Sequence, residues 1–310
     1  MLTFSLNIDD GAPVNLYCYH DFTHYHEKIV PASFVRKFGS VTRKYGARGK
    51  FSVVPIPACL GRLDEKICCL TPREQKSFIK AVHDYVMPDF SLTPEILTHF
   101  LAWNDKYKSV HHLCEDKFFS KLSTLEVAEY VSLALQILDN VGLTPDGVTS
   151  PWATGLDNEV NYAAGIGIAF RKVLNRDHCF YFLHCSDEVE RPTLVYKSDK
   201  TGRVVTIPAN TDDPFWGTQY PATAKQAVLN AKCGIDCLLS ENGRRGRIRD
   251  LVEKGDPVVI LSHWQSLFSE GRAIGLEGLN ELLKRIEKVF GKEVEWKTFA
   301  EIEAETPTPV

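Results

Sequence analysis

Short apolar runs alternate with longer segments of helical periodicity along most of this chain. The short runs are rich in Val, Ile, Phe and Leu, and their length of about four to eight residues is typical of buried strands. These runs predict strands at Leu2–Ile8, Phe51–Ile56, Glu95–His99, Gly147–Ser150, Cys179–Leu183, Val204–Ile207 and Pro257–Ser262.

Three segments between these runs carry the start and stop signals of helices. Ser123-Thr-Leu-Glu126 is a capping box, in which the serine and the glutamate satisfy free backbone donors. The apolar residues between Val127 and Val141 then share one helical face. Thr71–Glu74 begins a second helix, with proline at its first position. Leu276–Phe290 forms a third, and the glycine that follows ends it.

About seven strands that alternate with helices predict an α/β fold with a parallel sheet, because parallel strands need helical crossovers. An open sheet and a barrel both fit this order. We favour the barrel, since no glycine-rich dinucleotide-binding turn follows the first strand. The expected organisation is a single (β/α) barrel domain over residues 1–304 and a disordered tail over residues 305–310.

Composition narrows the classes of partner. The chain has 310 residues, of which 44% are hydrophobic and 25% are charged, and its net charge is −4. This balance argues against a nucleic-acid partner, which would favour a basic surface. No apolar run reaches the length of about 18 residues that crosses a membrane, and the first residues lack the positive and apolar regions of a secretory leader, so we expect neither a membrane span nor a leader. We expect a cytoplasmic protein with reduced cysteines and a small-molecule or carbohydrate substrate; the sequence leaves the oligomeric state open.

Acids and histidines follow three of the predicted strands. Asp9 and Asp10 end the first, His99 the third and His263 the seventh. In a parallel barrel these ends share one rim, where active sites lie. Two adjacent carboxylates at the end of a buried strand are costly unless one is neutralised, for example by a metal, and the other accepts protons. A turn carboxylate or a packed histidine is the structural alternative at each position.

Tryptophans also follow the strands. Trp103, Trp152 and Trp264 come shortly after the third, fourth and seventh predicted strands, and Trp216 follows the sixth. Their flat rings suit stacking against a sugar ring, although each also fits simple packing. The sequence therefore makes Trp103, Trp152 and Trp264 candidate substrate-binding residues.

Taken in order, these segments resemble the motifs of the polysaccharide deacetylases, the NodB-homology group. Asn7–Gly11 resembles their first motif, Thr-Phe-Asp-Asp-Gly, and Leu261–His263 resembles their closing Leu-x-His. Glu95–His99 is similar to the run that leads to the first histidine of their His-x-x-x-His metal motif. Ser150–Trp152 and Asp212–Trp216 occupy the places of their Arg-x-Pro-Tyr and Asp/Trp motifs.

The resemblance extends over about residues 3–300 and implies a distorted (β/α) barrel of about seven parallel strands. It implies a metal-dependent hydrolase that removes an acyl group, with N-acetyl expected, from a sugar or a related small amide. The implied cofactor is a divalent metal ion, commonly zinc in relatives. By the same resemblance, Asp9 is the general base, His263 is the general acid, and Asp10 and His99 are metal ligands.

The chain departs from the family pattern at two places. Trp103 stands where the second histidine of the metal motif belongs, so the motif supplies two ligands where a catalytic zinc site normally has three. Thr149 stands where the family has the arginine that orients the base. The candidates for a third ligand are Asn104, Asp105, His111, His112 and the His20–His26 loop.

Two other functions stay open on the sequence alone. One is a catalytically inactive, carbohydrate-binding relative that kept the barrel and lost its metal. The other is a glycosidase on the same scaffold, which would need two carboxylates about 5–10 Å apart, such as Asp10 and Asp213.

Overall fold

The computed structural model describes residues 1–20, 26–106, 108–185, 189–220 and 223–308. Over these residues the chain has a mixed α/β fold. The strands are β1 (Leu2–Asp9), β2 (Gly49–Val53), β3 (Phe90–Pro94), β4 (Leu101–Asn104), β5 (Ser109–Cys114), β6 (Gly147–Thr149), β7 (His178–Phe182), β8 (Thr193–Ser198), β9 (Gly202–Thr206), β10 (Val258–His263) and β11 (Val294–Trp296). The helices are α1 (Tyr17–His20), α2 (Ala32–Lys44), α3 (Pro72–Tyr85), α4 (Glu115–Phe119), α5 (Thr124–Asn140), α6 (Glu159–Leu174), α7 (Ala224–Leu238), α8 (Arg247–Lys254), α9 (Trp264–Phe268), α10 (Ile274–Phe290) and α11 (Phe299–Glu305).

Most of the strand pairing is parallel, as the alternation of strands and helices predicts. One sheet has the order β10-β1-β2-β3, with β11 also paired to β1, and a second has the order β6-β7-β9-β8. The antiparallel pairs are β8 with β9 and the hairpin of β4 with β5. A parallel bridge between Glu95 and Thr149 connects the ends of β3 and β6. The mostly parallel α/β class is thus confirmed, whereas closure into one seven-stranded barrel stays a prediction.

The side chains of β1 alternate between the hydrophobic core and the face that carries the site. Phe4, Leu6 and Ile8 belong to the main hydrophobic core. Side chains alternate between the two faces of a strand, so Asn7 and Asp9 lie on the opposite face. Both are buried. Strand β1 therefore packs on the core through its apolar side chains and presents the polar side chain of Asp9 at its last residue.

The predicted helix signals are confirmed. The side chains of Ser123 and Thr71 each accept a hydrogen bond from the backbone N–H of the glutamate three residues later, at the starts of α5 and α3. The glutamates reciprocate, which completes both capping boxes. The third predicted helix is α10, which ends at Phe290 before Gly291.

The predicted position of the third strand is wrong. The pattern predicts a strand at Glu95–His99, but the strand is β3, which ends at Pro94. Ile96 has φ of 24° and His99 has φ of 49°, values that a strand cannot contain. Glu95 is therefore the first residue beyond the strand, and Glu95–His99 is a connecting segment at the end of the sheet.

Strands β4, β5, β8 and β11 have no counterpart in the sequence prediction. The reason is visible in β5, whose residues are exposed or half-buried throughout. Its sequence, Ser-Val-His-His-Leu-Cys, lacks the continuous apolar run that marks a buried strand.

The C-terminal segment continues beyond the predicted limit of the domain. Glu305 is the last residue of α11, and the carbonyl oxygen of Thr306 accepts a hydrogen bond of 2.6 Å from Arg203. Residues 309 and 310 of the predicted tail lie outside the described residues. The assignment of residues 1–304 to a single domain stays a prediction. Within the described ranges, no helix is long and apolar enough to cross a membrane.

Candidate metal and acid–base site

Three buried side chains converge where β1 and β3 end. One ligand atom each from Asp10, Glu95 and His99 lies within 4.8 Å of the other two. Nδ1 of His99 is 2.9 Å from Oε1 of Glu95 and 3.1 Å from Oδ1 of Asp10. Two carboxylates and one imidazole in this arrangement could hold a divalent cation.

In Asp10 and Glu95, the carboxylate oxygen that does not contact His99 accepts hydrogen bonds. Oε2 of Glu95 accepts from the backbone N–H of Asp10 at 2.6 Å and from Oγ of Ser52 at 2.5 Å. Tyr17 donates its hydroxyl to Oδ2 of Asp10 at 3.1 Å. Asp10 has φ of 65°, a left-handed conformation that aspartate tolerates better than most residues. The remaining oxygens, Oε1 and Oδ1, are thereby turned toward His99.

A further buried carboxylate, that of Glu115, fixes the segment that carries His99. Glu115 accepts hydrogen bonds from three consecutive backbone N–H groups, those of Leu97, Thr98 and His99, at 2.9–3.1 Å. It also accepts the hydroxyl of Tyr130 at 2.9 Å. These contacts hold His99 in its left-handed conformation, which is otherwise costly for a residue with a Cβ atom.

Asp9 forms a buried ion pair with a lysine from the neighbouring strand. Nζ of Lys50 contacts Oδ1 of Asp9, and both side chains are almost fully buried. Lys50 also donates to Oγ1 of Thr149 at 2.7 Å, and that hydroxyl is 2.8 Å from Oγ1 of Thr93. A buried cation beside Asp9 is thus supplied from position 50, and Thr149 accepts a hydrogen bond from it.

His263 is paired with a carboxylate that follows β9. Nδ1 of His263 lies 2.9 Å from Oδ2 of Asp213, and the backbone N–H of His263 donates to the same oxygen at 3.0 Å. Ser266 and the N–H of Phe215 also donate to Asp213. The aspartate is therefore held from several sides and leaves Nε2 as the free nitrogen of the imidazole.

Burial and charge perturb the acid–base groups of the site. Burial raises the pKa of Asp10 to about 7, although His99 opposes the shift. Burial disfavours the charged form of His99, but Asp10 and Glu95 outweigh it and raise its pKa to about 9. The same balance, with Asp213 as the main partner, raises the pKa of His263 to about 10. Burial also raises the pKa of Asp9, against the pull of Lys50.

The structure brings together the four acid–base and ligand residues that the sequence predicts. In the parallel register of β1 and β10, Asp9 is the partner of His263. Asp10 is the next residue along the chain, and it contacts His99, which follows β3. The shared rim expected for these side chains is therefore present, and their catalytic and metal-binding roles stay predictions.

The three predicted tryptophans have different surroundings. Trp152 is 48% exposed, and its ring centroid is 4.6 Å from that of His99. Trp103 lies on β4 and donates its indole N–H to Asp105 at 3.2 Å. Trp216, which is not among the three candidates, has its ring 4.8 Å from His263. Trp152 and Trp216 therefore flank the two histidines.

The substrate-binding role predicted for Trp264 does not fit its position. Trp264 has no exposed surface, and its ring packs against Phe34, Phe38 and Phe51. Its indole N–H donates to the carbonyl of Ala12 at 3.2 Å. The physical reason is that α9 begins directly after His263, so the chain turns and carries this side chain into the core.

The third ligand candidate, Glu95, is one that sequence reasoning missed. Among the His, Asp and Glu side chains of the described ranges, the expected alternatives Asp105, His111, His112, His20 and His26 do not belong to the cluster, Asn104 stays a prediction, and residues 21–25 of the proposed loop lie outside the described residues. Glu95 and His99 are four positions apart. A carboxylate four residues before His99 is the signal in the sequence that could have found the ligand.

Comparisons with known proteins agree with the fold. No family model and no curated protein matches the chain. The structure is similar to that of a probable polysaccharide deacetylase from Pseudomonas aeruginosa PAO1, with 11% identity and a TM-score of 0.53, over 99% of this chain and 92% of that chain. It is also similar to the Puue allantoinase, with 13% identity and a TM-score of 0.50, over 99% of this chain and 91% of that chain. At these identities the likeness shows a shared fold and nothing finer.

Proposed function

We propose that this chain is a metal-dependent hydrolase that removes an acyl group, N-acetyl in the first instance, from a sugar or a related small amide. The observation that carries the proposal is that two acid–base pairs lie together where β1 and β10 end. In one pair a lysine holds a carboxylate, and in the other a carboxylate holds an imidazole. Asp9 is held by Lys50, and His263 is held by Asp213, beside a cluster of three ligand side chains. The proposed scaffold is the distorted (β/α) barrel of the deacetylases.

The cluster fits a metal ion on its own chemistry. Oδ1 of Asp10 is fully buried and accepts no hydrogen bond, which is rare for a carboxylate oxygen, and Nδ1 of His99 lies 3.1 Å from it. A cation among Asp10, Glu95 and His99 would satisfy this oxygen and offset the two buried negative charges. When bound, a divalent ion polarises a carbonyl group and lowers the pKa of water.

Asp9 is assigned as the general base. Lys50 occupies Oδ1 and fixes the carboxylate, so Oδ2 is the oxygen that accepts a proton from the attacking water. Burial raises the pKa of Asp9 above its ordinary value, which makes it a better proton acceptor than an exposed aspartate. Lys50 opposes that rise and favours the ionised carboxylate in this buried position.

His263 is assigned as the general acid. Asp213 accepts the Nδ1 proton, which leaves Nε2–H to protonate the departing nitrogen or oxygen of the substrate. The pKa of about 10 keeps the imidazole protonated at neutral pH. Trp152 and Trp216, which flank His99 and His263, supply flat apolar faces for a ring-shaped substrate.

The two alternatives gain no specific support. The glycosidase would need Asp10 and Asp213 free to act on a glycosidic bond, but Asp213 accepts hydrogen bonds from several groups around His263. An inactive binding relative would have no chemical reason to keep a buried charge beside each acid–base residue. A small-molecule or carbohydrate substrate, the lack of a nucleic-acid or membrane partner and the cytoplasmic location all stay predictions.

Acetate release from N-acetylated sugars tests the proposal. We expect activity that a chelator removes and a divalent metal restores, and its loss by at least about a hundredfold in Asp9→Asn or His263→Ala. Matched controls are Asp157→Asn and His83→Ala, which change exposed residues outside the site. Cleavage of glycosidic bonds in place of acyl groups would show that the proposal is wrong.

A further inference from the structure

The donor set of the cluster differs from the one that the family resemblance implies. Asp10 and Glu95 supply two carboxylates, and His99 supplies one imidazole. Carboxylate oxygens suit hard ions such as Mg²⁺ and Mn²⁺, whereas additional imidazole nitrogens favour Zn²⁺ and its neighbours. Two carboxylates also neutralise the whole charge of a divalent ion, so the site depends less on the strong Lewis acidity of zinc.

The hydrogen bonds around the cluster restrict each carboxylate to one ligand oxygen. Oε2 of Glu95 is taken by Ser52 and by the N–H of Asp10, and Oδ2 of Asp10 is taken by Tyr17. Such outer contacts fix the orientation of metal ligands. Each residue therefore offers one ligand atom, and three protein ligands leave the other coordination positions to water or substrate.

The ligand atoms lie close enough to bind one small cation together. Nδ1 of His99 is 2.9 Å from Oε1 of Glu95 and 3.1 Å from Oδ1 of Asp10. Ligands of an ion with bonds of about 2.1 Å lie about 3.0–3.4 Å apart, in octahedral and in tetrahedral coordination alike. The spacing therefore fits a divalent ion, and the types of donor atom carry the choice of ion.

We infer that the Asp10–Glu95–His99 cluster, with two carboxylate donors and one imidazole, holds a hard divalent ion of the Mn²⁺ type in preference to zinc. The inference rests on the metal dependence in the proposed function. Glu95 is the residue that sets the preference, because it supplies a carboxylate where an imidazole would favour zinc. The buried Oδ1 of Asp10, which accepts no hydrogen bond, is the independent sign that a cation belongs there.

Competitive metal binding by the full-length chain tests this inference. The chain, freed of metal by a chelator, is titrated with Mn²⁺ and with Zn²⁺ separately, and Mn²⁺ binding is followed by loss of the free ion's electron paramagnetic resonance signal. We expect binding of Mn²⁺, and a ratio of zinc to manganese affinity that rises by at least about tenfold in Glu95→His. Glu65→His, at an exposed glutamate with a 57% exposed side chain, should leave the ratio unchanged.

A second variant covers the case in which Glu95→His does not fold. Glu95→Gln keeps the size of the side chain and an acceptor for Ser52, and we expect its Mn²⁺ affinity to fall by at least about tenfold. An unchanged ratio in Glu95→His, or an unchanged Mn²⁺ affinity in Glu95→Gln, overturns the inference. Binding and hydrolysis with Zn²⁺ but not with Mn²⁺ also overturns it and leaves the proposed function standing. Hydrolysis by chain that binds neither ion contradicts the metal dependence itself.

Discussion

Replacing Lys50 by methionine tests the buried pair that holds the proposed base. Lys50 has no exposed side-chain surface, and its ammonium group contacts Asp9 and donates to Thr149. Methionine fills a similar volume without the charge or the donors. The change therefore leaves a buried carboxylate with no counter-charge from the neighbouring strand, while the apolar packing of β2 is kept.

The expected loss of stability follows from the unpaired carboxylate of Asp9. Removing one partner of a buried ion pair destabilises a protein by about 3–5 kcal/mol. Burial already raises the pKa of Asp9, and without Lys50 this pKa rises further. An acid whose pKa is raised in the folded state costs no stability below its pKa in the unfolded chain, and the cost grows with pH until the folded-state pKa is passed. The loss in Lys50→Met should therefore grow as the pH rises from the acidic range and shrink as the pH falls and Asp9 takes up a proton.

Urea unfolding at several pH values measures this effect. Lys80→Met is the matched control, because the Lys80 side chain is 76% exposed in a pair with Asp84, and solvent screens such surface pairs so that their loss changes stability little. Adding Asp9→Asn to Lys50→Met should recover part of the lost stability. In acetate release, Lys50→Met should move the acidic limb of the rate profile to higher pH. A loss below about 1 kcal/mol, or one that is independent of pH, would refute the assigned pairing.

Three further outcomes follow from the same geometry. Asp213→Asn should lower the raised pKa of His263. The alkaline limb of acetate release should then move down by roughly 1–3 pH units, because the acid form of His263 is lost as the pH rises through its pKa. An unmoved limb would count against the pairing of His263 with Asp213. Glu115→Ala should reduce metal affinity, measured by metal titration, by about 10–100-fold, because three backbone donors near His99 lose their acceptor. Unchanged affinity would contradict the positioning role of Glu115. Trp152→Ala should raise the KM for a cyclic sugar substrate while leaving unfolding within about 0.5 kcal/mol of wild type, and the reverse pattern would assign Trp152 to packing.

The sequence predicts the parts of the site that lie next to strong local signals. Asp9, Asp10 and His263 end apolar strands, and the end of a parallel strand is where a functional side chain is expected. His99 is placed in the right region although the strand before it is predicted five residues too late. The class of fold follows for the same reason, since apolar runs and helix caps are local features.

The residues that the sequence does not predict act through distant contacts. Lys50 and Asp9 are 41 positions apart, and a lysine inside the short strand Gly49–Val53 carries no sign of its partner. Glu115 reaches back 16 positions to the N–H of His99 across the hairpin of β4 and β5. Which carboxylate meets which donor depends on the packing of the two sheets, and no pattern within one segment encodes it.

At Trp264 the sequence predicts a functional residue where the structure has a core residue. Its position directly after His263 suggests a place at the rim, but α9 starts there and turns the ring toward Phe34 and Phe51. A change from strand to helix within one residue reverses the direction of the next side chain. Sequence spacing measured along the strand therefore fails at that residue.

The stoichiometry of bound divalent metal tests the central claim most directly. After equilibrium dialysis against Mn²⁺ or Zn²⁺, elemental analysis of the wild-type chain should find about one ion per chain. Asp10→Asn, which tolerates the φ of 65° at that position, should bind none or far less, and Asp9→Asn should keep its ion. A wild-type chain that binds no ion yet releases acetate unchanged in the presence of a chelator would contradict the account.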